Sequence, residues 1–125
     1  MGYLIDTSVL VAASVEKHDD RKAAIALLGR LREPKIVDTV VVAEYAHVVR
    51  RLTGSEASAS LVADLCRAYD YYPVPISTIL GAMPHFRHGV GDALIGQHAI
   101  ENGWKLVTLD RGFRRFVPEN LLVTR

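Results

Sequence analysis

Four carboxylates in this chain stand where their neighbours argue against ordinary solvated acids. Asp6 directly follows the apolar run Tyr3-Leu4-Ile5, and Asp110 directly follows Trp104 to Leu109. Both runs read as strands, and in an open parallel sheet the binding crevice lies outside the carboxyl ends of the strands. An Asp at a strand end also caps free helix amides, so either residue alone fits both readings. Glu44 is more telling. Val41, Tyr45, Val48 and Leu52 form the apolar stripe of its helix, and Glu44 lies three residues after Val41 and four before Val48. A carboxylate pointing at a core needs a cation, a metal or a water-filled crevice beside it, and an ion pair with one of the arginines would also serve. Asp92 opens a helix, where capping is the default, yet it shares a face with Ile95 and Ala99.

The combination points to metal chemistry. Two strand-end acids and two acids on inward helical faces form an oxygen-only donor set, which suits Mg²⁺ or Mn²⁺ rather than zinc or copper. Two carboxylates about 5 Å apart in an effective dielectric near 20 repel by roughly 3 kcal/mol, so four together need a cation. Hard divalent ions held this way activate water and neutralise phosphate oxygens, which is the chemistry of phosphodiester hydrolysis.

The elements that must position these acids follow from hydrophobic periodicity and from turn residues. Tyr3 to Ile5 reads as a strand and Val9 to Ala13 as the start of a helix. A helix over 19–32 places Ala23, Leu27 and Leu31 on one face, and Pro34 ends it. Lys35-Ile36-Val37 is a second brief strand; Asp38 or Thr39 caps the helix that runs to Leu52, with Gly54 closing it. A further helix spans 55–69, and 71–76 is extended but an edge at best because of Pro73 and Pro75. A short helix over 77–84 leads into a flexible loop carrying His85, Arg87 and His88, bounded by Gly89 and Gly91. The helix from Asp92 to Glu101 stops at Asn102-Gly103, and strands over 104–109 and 121–124 complete the chain. Alternating strands and helices predict an α/β fold, a mostly parallel sheet with helices on both faces.

At 125 residues, 50% hydrophobic and 23% charged, the chain is expected to be folded throughout as a single domain over 1–125. Its only cysteine, Cys66, excludes an intramolecular disulfide and a multi-cysteine zinc site and suits a reducing cytosol. No apolar run approaches the roughly 20 residues of a membrane span and no signal peptide is recognisable, so a cytoplasmic protein without a membrane partner is expected. Lys and Arg number 15 against 14 Asp and Glu, which gives no global basic excess. Outside the four proposed site acids, however, 15 cations face 10 anions, a surplus of +5 available to a polyanion.

These residues resemble the PIN-domain ribonucleases, and among them the VapC-type toxins of prokaryotic toxin–antitoxin pairs. Leu4-Ile5-Asp6-Thr7-Ser8-Val9-Leu10 looks like the family's opening strand with its first metal-binding acid, and Ala43-Glu44-Tyr45 looks like the next motif. Gly91-Asp92-Ala93-Leu94-Ile95 is similar to the third, and Val107-Thr108-Leu109-Asp110-Arg111-Gly112-Phe113 to the last. Each motif alone is weak; four in order along the whole chain are strong. The resemblance implies a PIN-domain αβα sandwich, Mg²⁺- or Mn²⁺-dependent endonuclease activity on RNA, a homodimer, and inhibition by a small VapB-like antitoxin. It also implies that Asp6, Glu44, Asp92 and Asp110 hold the metal and are catalytic, with Thr108 completing the site. Many members carry a further acid where Gly112 stands, which leaves one ion or two as open alternatives.

Ser8 and Thr108 are expected to hydrogen-bond the carboxylates, although turn hydroxyls would look the same. Arg111, Arg114 and Arg115 follow the last acid and fit either a phosphate clamp or a solvated turn. Tyr69, Tyr71 and Tyr72 suit edge-strand packing or a dimer contact better than base stacking. A phosphotransfer receiver needs an acidic pair after the first strand, where Thr7 follows Asp6. A haloacid-dehalogenase-type phosphatase needs a second Asp where Ser8 stands. The remaining alternatives are a PIN-domain nuclease of RNA processing or quality control, and a non-catalytic binding module whose acids are caps and ion pairs.

Overall fold

The structure, a computed structural model, describes residues 1–32 and 34–125. Five short strands form one parallel sheet: β1 (Tyr3–Ile5), β2 (Lys35–Asp38), β3 (Asp70–Tyr72), β4 (Lys105–Val107) and β5 (Leu122–Val123), in the spatial order β3-β2-β1-β4-β5. Six α-helices flank it: α1 (Thr7–Ser14), α2 (Arg21–Gly29), α3 (Thr39–Thr53), α4 (Ser55–Ala68), α5 (Ile76–Ala82) and α6 (Val90–Asn102). This is the expected α/β sandwich, and the sheet is parallel throughout.

Burial on both faces explains why the strands are continuous apolar runs rather than alternating ones. Leu4, Ile5, Ile36, Val37, Leu106 and Val107 are all buried, packed with Val9, Leu10, Val41, Tyr45, Val49, Ile95 and Ala99 from the helices. The chain builds outward from β1 through β2 to β3, then crosses back to place β4 on the other side of β1. The reversal makes the β1/β4 boundary a topological switch point, and both strands end there on the same edge.

Several elements differ in extent from the sequence reading. α2 is shorter than 19–32, and its buried residues are Ala24 and Leu27, with Ala23 and Leu31 only partly covered. The α3 stripe is Val41, Tyr45 and Val49; Val48 is partly buried and Leu52 is 58% exposed. The segment expected as a flexible loop is a 3-10 helix, Met83–His88, and Gly91 lies inside α6 rather than before it.

Candidate active site

Asp6 occupies the N-cap position of α1, yet its side chain makes no capping hydrogen bond. Its carboxylate turns instead toward β4. Oδ2 accepts from Ser8 Oγ at 2.7 Å and from Thr108 Oγ1 at 2.8 Å. Each hydroxyl spends its one proton on Asp6 and accepts a backbone amide in return, Leu109 N on Ser8 at 3.1 Å and Asp110 N on Thr108 at 2.9 Å. Asp6 N also donates to Val107 O at 2.9 Å. The chain leaving β4 is therefore tied to Asp6 through two hydroxyls, and Asp110 inherits its position from that tie.

Glu44 arrives from α3. Thr7 Oγ1 donates to its Oε1 at 2.8 Å, fixing it to the first residue of α1. Its other oxygen, Oε2, lies against Gly91 of α6, where any Cβ would collide with it. Asp92, half-buried, follows at the third position of α6. Asp110 is exposed, and its Oδ1 accepts from Gly112 N at 2.8 Å, capping the 3-10 turn Arg111–Arg115. Of the two readings of a strand-end acid, Asp110 satisfies the cap and Asp6 does not.

The Thr7, Gly91 and Thr108 contacts place Glu44, Asp92 and Asp110 near Asp6, and their charges act on one another. Burial, then Asp6, Asp110 and Glu44, raise the Asp92 pKa to about 6. Burial also pushes Glu44 up, with Asp6 and Asp38 adding to the effect against the Thr7 hydrogen bond. Asp6, 4% exposed, is raised by burial despite the hydrogen bonds from Ser8 and Thr108. No cation relieves this: among the described residues the ion pairs are Arg67–Asp64, Arg114–Glu119, Arg125–Asp20 and His98–Asp38, and none involves these four acids. Nor do any three His, Cys, Asp or Glu side chains among the described residues stand in ready ligand geometry. The two observations are compatible, because carboxylates without a counter-ion repel. Ser8, Thr108, Thr7 and Gly112 engage one oxygen each of Asp6, Glu44 and Asp110, and these bonds leave the second oxygen of each unengaged. A hard divalent ion fits such a donor set.

The structure thus brings together Asp6, Glu44, Asp92 and Asp110, with Ser8 and Thr108 on Asp6. Arg111, Arg114 and Arg115 are exposed on the turn after Asp110, and Arg114 Nε lies 3.7 Å from Glu119. Sequence reasoning missed three contributors. Thr7 carries no local signal beyond its place in the first motif, and Gly91 reads as the boundary of a loop. The third is a buried pair in which His98 Nδ1 and Asp38 Oδ2 lie 2.9 Å apart, joining the start of α3 to α6. Asp38 Oδ1 also accepts from Val41 N at 2.9 Å, so one carboxylate sets both the helix that carries Glu44 and its link to the helix that carries Asp92.

Residues 3–117 match the PIN domain family. Comparison with curated proteins returns no match. Among solved structures the chain is similar to VapC20 of Mycobacterium tuberculosis, a sarcin–ricin loop cleaving toxin, at 16% identity and a TM-score of 0.80, covering 90% of this chain and 93% of that one. It is similar to VapBC2 of Rickettsia felis, bound to a DNA fragment from its promoter, at 21% identity and TM-score 0.76, covering 100% and 99%. It is also similar to VapBC-1 of nontypeable Haemophilus influenzae, at 15% identity and TM-score 0.70, covering 92% and 91%. At these identities the likeness is one of fold.

Proposed function

The chain belongs to the PIN-domain family, and from that premise we propose that it is an Mg²⁺- or Mn²⁺-dependent endoribonuclease, the VapC-type toxin of a toxin–antitoxin pair, acting as one domain over 1–125. The observation that carries the reading is the meeting of Asp6, Glu44, Asp92 and Asp110 at the β1/β4 switch point with no cationic side chain among the described residues to neutralise them. Acids that served only as caps would not need to share one place.

Asp6, Glu44, Asp92 and Asp110 would hold the ion, which when bound supplies an activated water and charge neutralisation at a scissile phosphate. The protein's own part is to keep the donors in place. Ser8 and Thr108 orient Asp6, Thr7 orients Glu44, and the glycine at position 91 leaves room for the Glu44 carboxylate. Arg111 and Arg115, exposed on the turn after Asp110, would take neighbouring phosphates, with Arg114 shared with Glu119.

The proposed partners are an RNA substrate, a VapB-like antitoxin and a second copy of the chain. The R. felis and H. influenzae neighbours are toxin–antitoxin complexes, which supports the antitoxin. The dimer is supported by an exposed stripe on α5 and the following turn, where Ile76, Ile79, Leu80 and Met83 recur at helical spacing. No helix among the described residues is long and apolar enough to cross a membrane, and the proposed location is the cytoplasm.

The test is cleavage of structured RNA by purified protein in Mn²⁺, Mg²⁺ or EDTA, for wild type and Asp6→Asn. Wild type should cut only with metal. Asp6→Asn keeps the shape that accepts the Ser8 and Thr108 hydroxyls but removes the charge, and should lose activity by orders of magnitude while remaining folded. Equal cleavage by both proteins would sink the assignment, and no cleavage by either would leave the binding-module alternative. Growth inhibition by wild type without antitoxin, absent for Asp6→Asn, separates a toxin from a processing nuclease.

A further inference from the structure

Beside the acids lies a group of rings that the proposed hydrolysis does not use. His85 and His88, on the 3-10 helix Met83–His88, lie nearly parallel to Phe116, with centroids 5.1 Å and 5.5 Å away and interplanar angles of 18° and 5°. They are also near-parallel to each other, at 6.4 Å and 21°. Three near-parallel rings at such spacings form a small stack beside α6. Phe116 packs against the edge of the core, and all three residues are half-buried, so part of the stack is open to solvent.

Its place relative to the acids is set by α6. Phe116 rests on Gly96, where an added Cβ would run into the ring and into Val117. Asp92 and Gly96 are four residues apart on one helix and so share a face, one turn or about 6 Å along the axis. The ring group therefore begins about one turn from Asp92. Burial first, then Arg87 and Arg115, hold the His88 pKa below its ordinary value, and both arginines lie near that ring. His85 Nδ1 is buried with no hydrogen-bond partner among the described residues, an arrangement that apolar side chains would avoid if packing were the only purpose.

We propose that His85, His88 and Phe116 form a stacking subsite for one unpaired base of the RNA strand, adjacent to the phosphate at the acidic site, with Arg87 and Arg115 on the flanking backbone. The inference rests on the nuclease reading and deepens it, because parallel aromatic faces flanked by arginines are how proteins hold single-stranded nucleic acid without reading its sequence. It makes the substrate a strand that is unpaired next to the cut. His88 is the residue to change, since Phe116 also supports α6.

The decisive measurement separates binding from cleavage. A short single-stranded RNA carrying 2-aminopurine in place of each adenine is titrated with Asp6→Asn protein, which binds without cutting. Quenching of the fluorophore should report stacking, and adding His88→Ala should abolish most of it and weaken affinity about five- to a hundredfold. His88→Tyr should restore both. In the otherwise wild-type protein, His88→Ala should lower cleavage of single-stranded RNA by a similar factor, while duplex RNA remains a poor substrate for either. Unchanged quenching and affinity in His88→Ala overturn the subsite, as does a tyrosine variant that behaves like alanine although folded. If His88→Ala instead weakens only binding of a protein partner, the rings are a protein contact and the subsite is wrong. Absence of wild-type cleavage with metal, by contrast, defeats the nuclease reading itself.

Discussion

Asp92 titrates well above the usual carboxylate range. Acids in the first turn of a helix are normally favoured by the amide dipoles, by about 0.5 kcal/mol. Here burial and the Asp6, Asp110 and Glu44 carboxylates outweigh that attraction and raise its pKa to about 6. A carboxyl raised on folding binds its proton more tightly in the folded state. Its contribution is fully favourable below the unfolded value of 3.8 and is lost as pH rises through about 6. In metal-free protein, Asp92→Asn should therefore stabilise the fold above pH 6 by about 1 kcal/mol, solvent screening having reduced the full effect. At about pH 4 the gain should vanish. Denaturant titrations of both proteins in EDTA across this range check it, and a gain independent of pH would contradict the repulsion.

Between elements, the closest functional contact is where α6 passes α3. Glycine within a helix ordinarily costs roughly 0.5–1 kcal/mol against alanine, and Gly91 needs no left-handed backbone that would justify it. Its justification is Glu44, whose Oε2 occupies the space of the missing Cβ. Gly91→Ala should leave thermal stability unchanged or slightly higher, because a carboxylate end can swing aside. Metal-dependent cleavage should fall at least tenfold, because the displaced oxygen is a proposed ligand. A loss of stability with full activity would reverse the argument. At this scale the limits of the sequence are clear. Asp6 and Asp110 were legible because each ends an apolar run, and Glu44 because an acid breaks an apolar stripe. Leu52 shares the helical face of Val41 and Tyr45 but lies in the last turn of α3, where it is exposed, and Val48 packs only partly against the core. The Thr7–Glu44 bond and the Asp38–His98 pair were invisible, as they span 37 and 60 residues and no local pattern encodes which hydroxyl meets which acid. The 3-10 helix before α6 reads as loop in the sequence because its rings stack on Phe116, far along the chain.

For the molecule as a whole, two proposed associations can be weighed by separate measurements. The exposed α5 stripe, with Leu80 62% and Ile76 75% exposed, contains none of the four acids. Leu80→Lys should convert a dimer to monomer in sedimentation while leaving the fold intact; a wild type that sediments as monomer at high concentration would remove the dimer. The ion makes the stronger demand. The pKa values of Asp6, Glu44 and Asp92 are all raised, so in metal-free protein protons compete for the same oxygens an ion would use. Binding of Mn²⁺ to the folded state alone should add RT ln(1 + [L]/Kd), about 2.7 kcal/mol at a hundredfold excess over Kd, and raise the unfolding midpoint. The increment should be larger near pH 7.5 than near pH 5, because at the lower pH the ion must first displace protons from carboxyls the fold has made basic. Asp6→Asn should start from a midpoint at least as high as wild type in EDTA, with one repulsive charge removed, and gain much less from Mn²⁺. A wild-type midpoint unmoved by saturating Mn²⁺ at pH 7.5, or an equal gain in Asp6→Asn, would mean that these acids do not hold the ion.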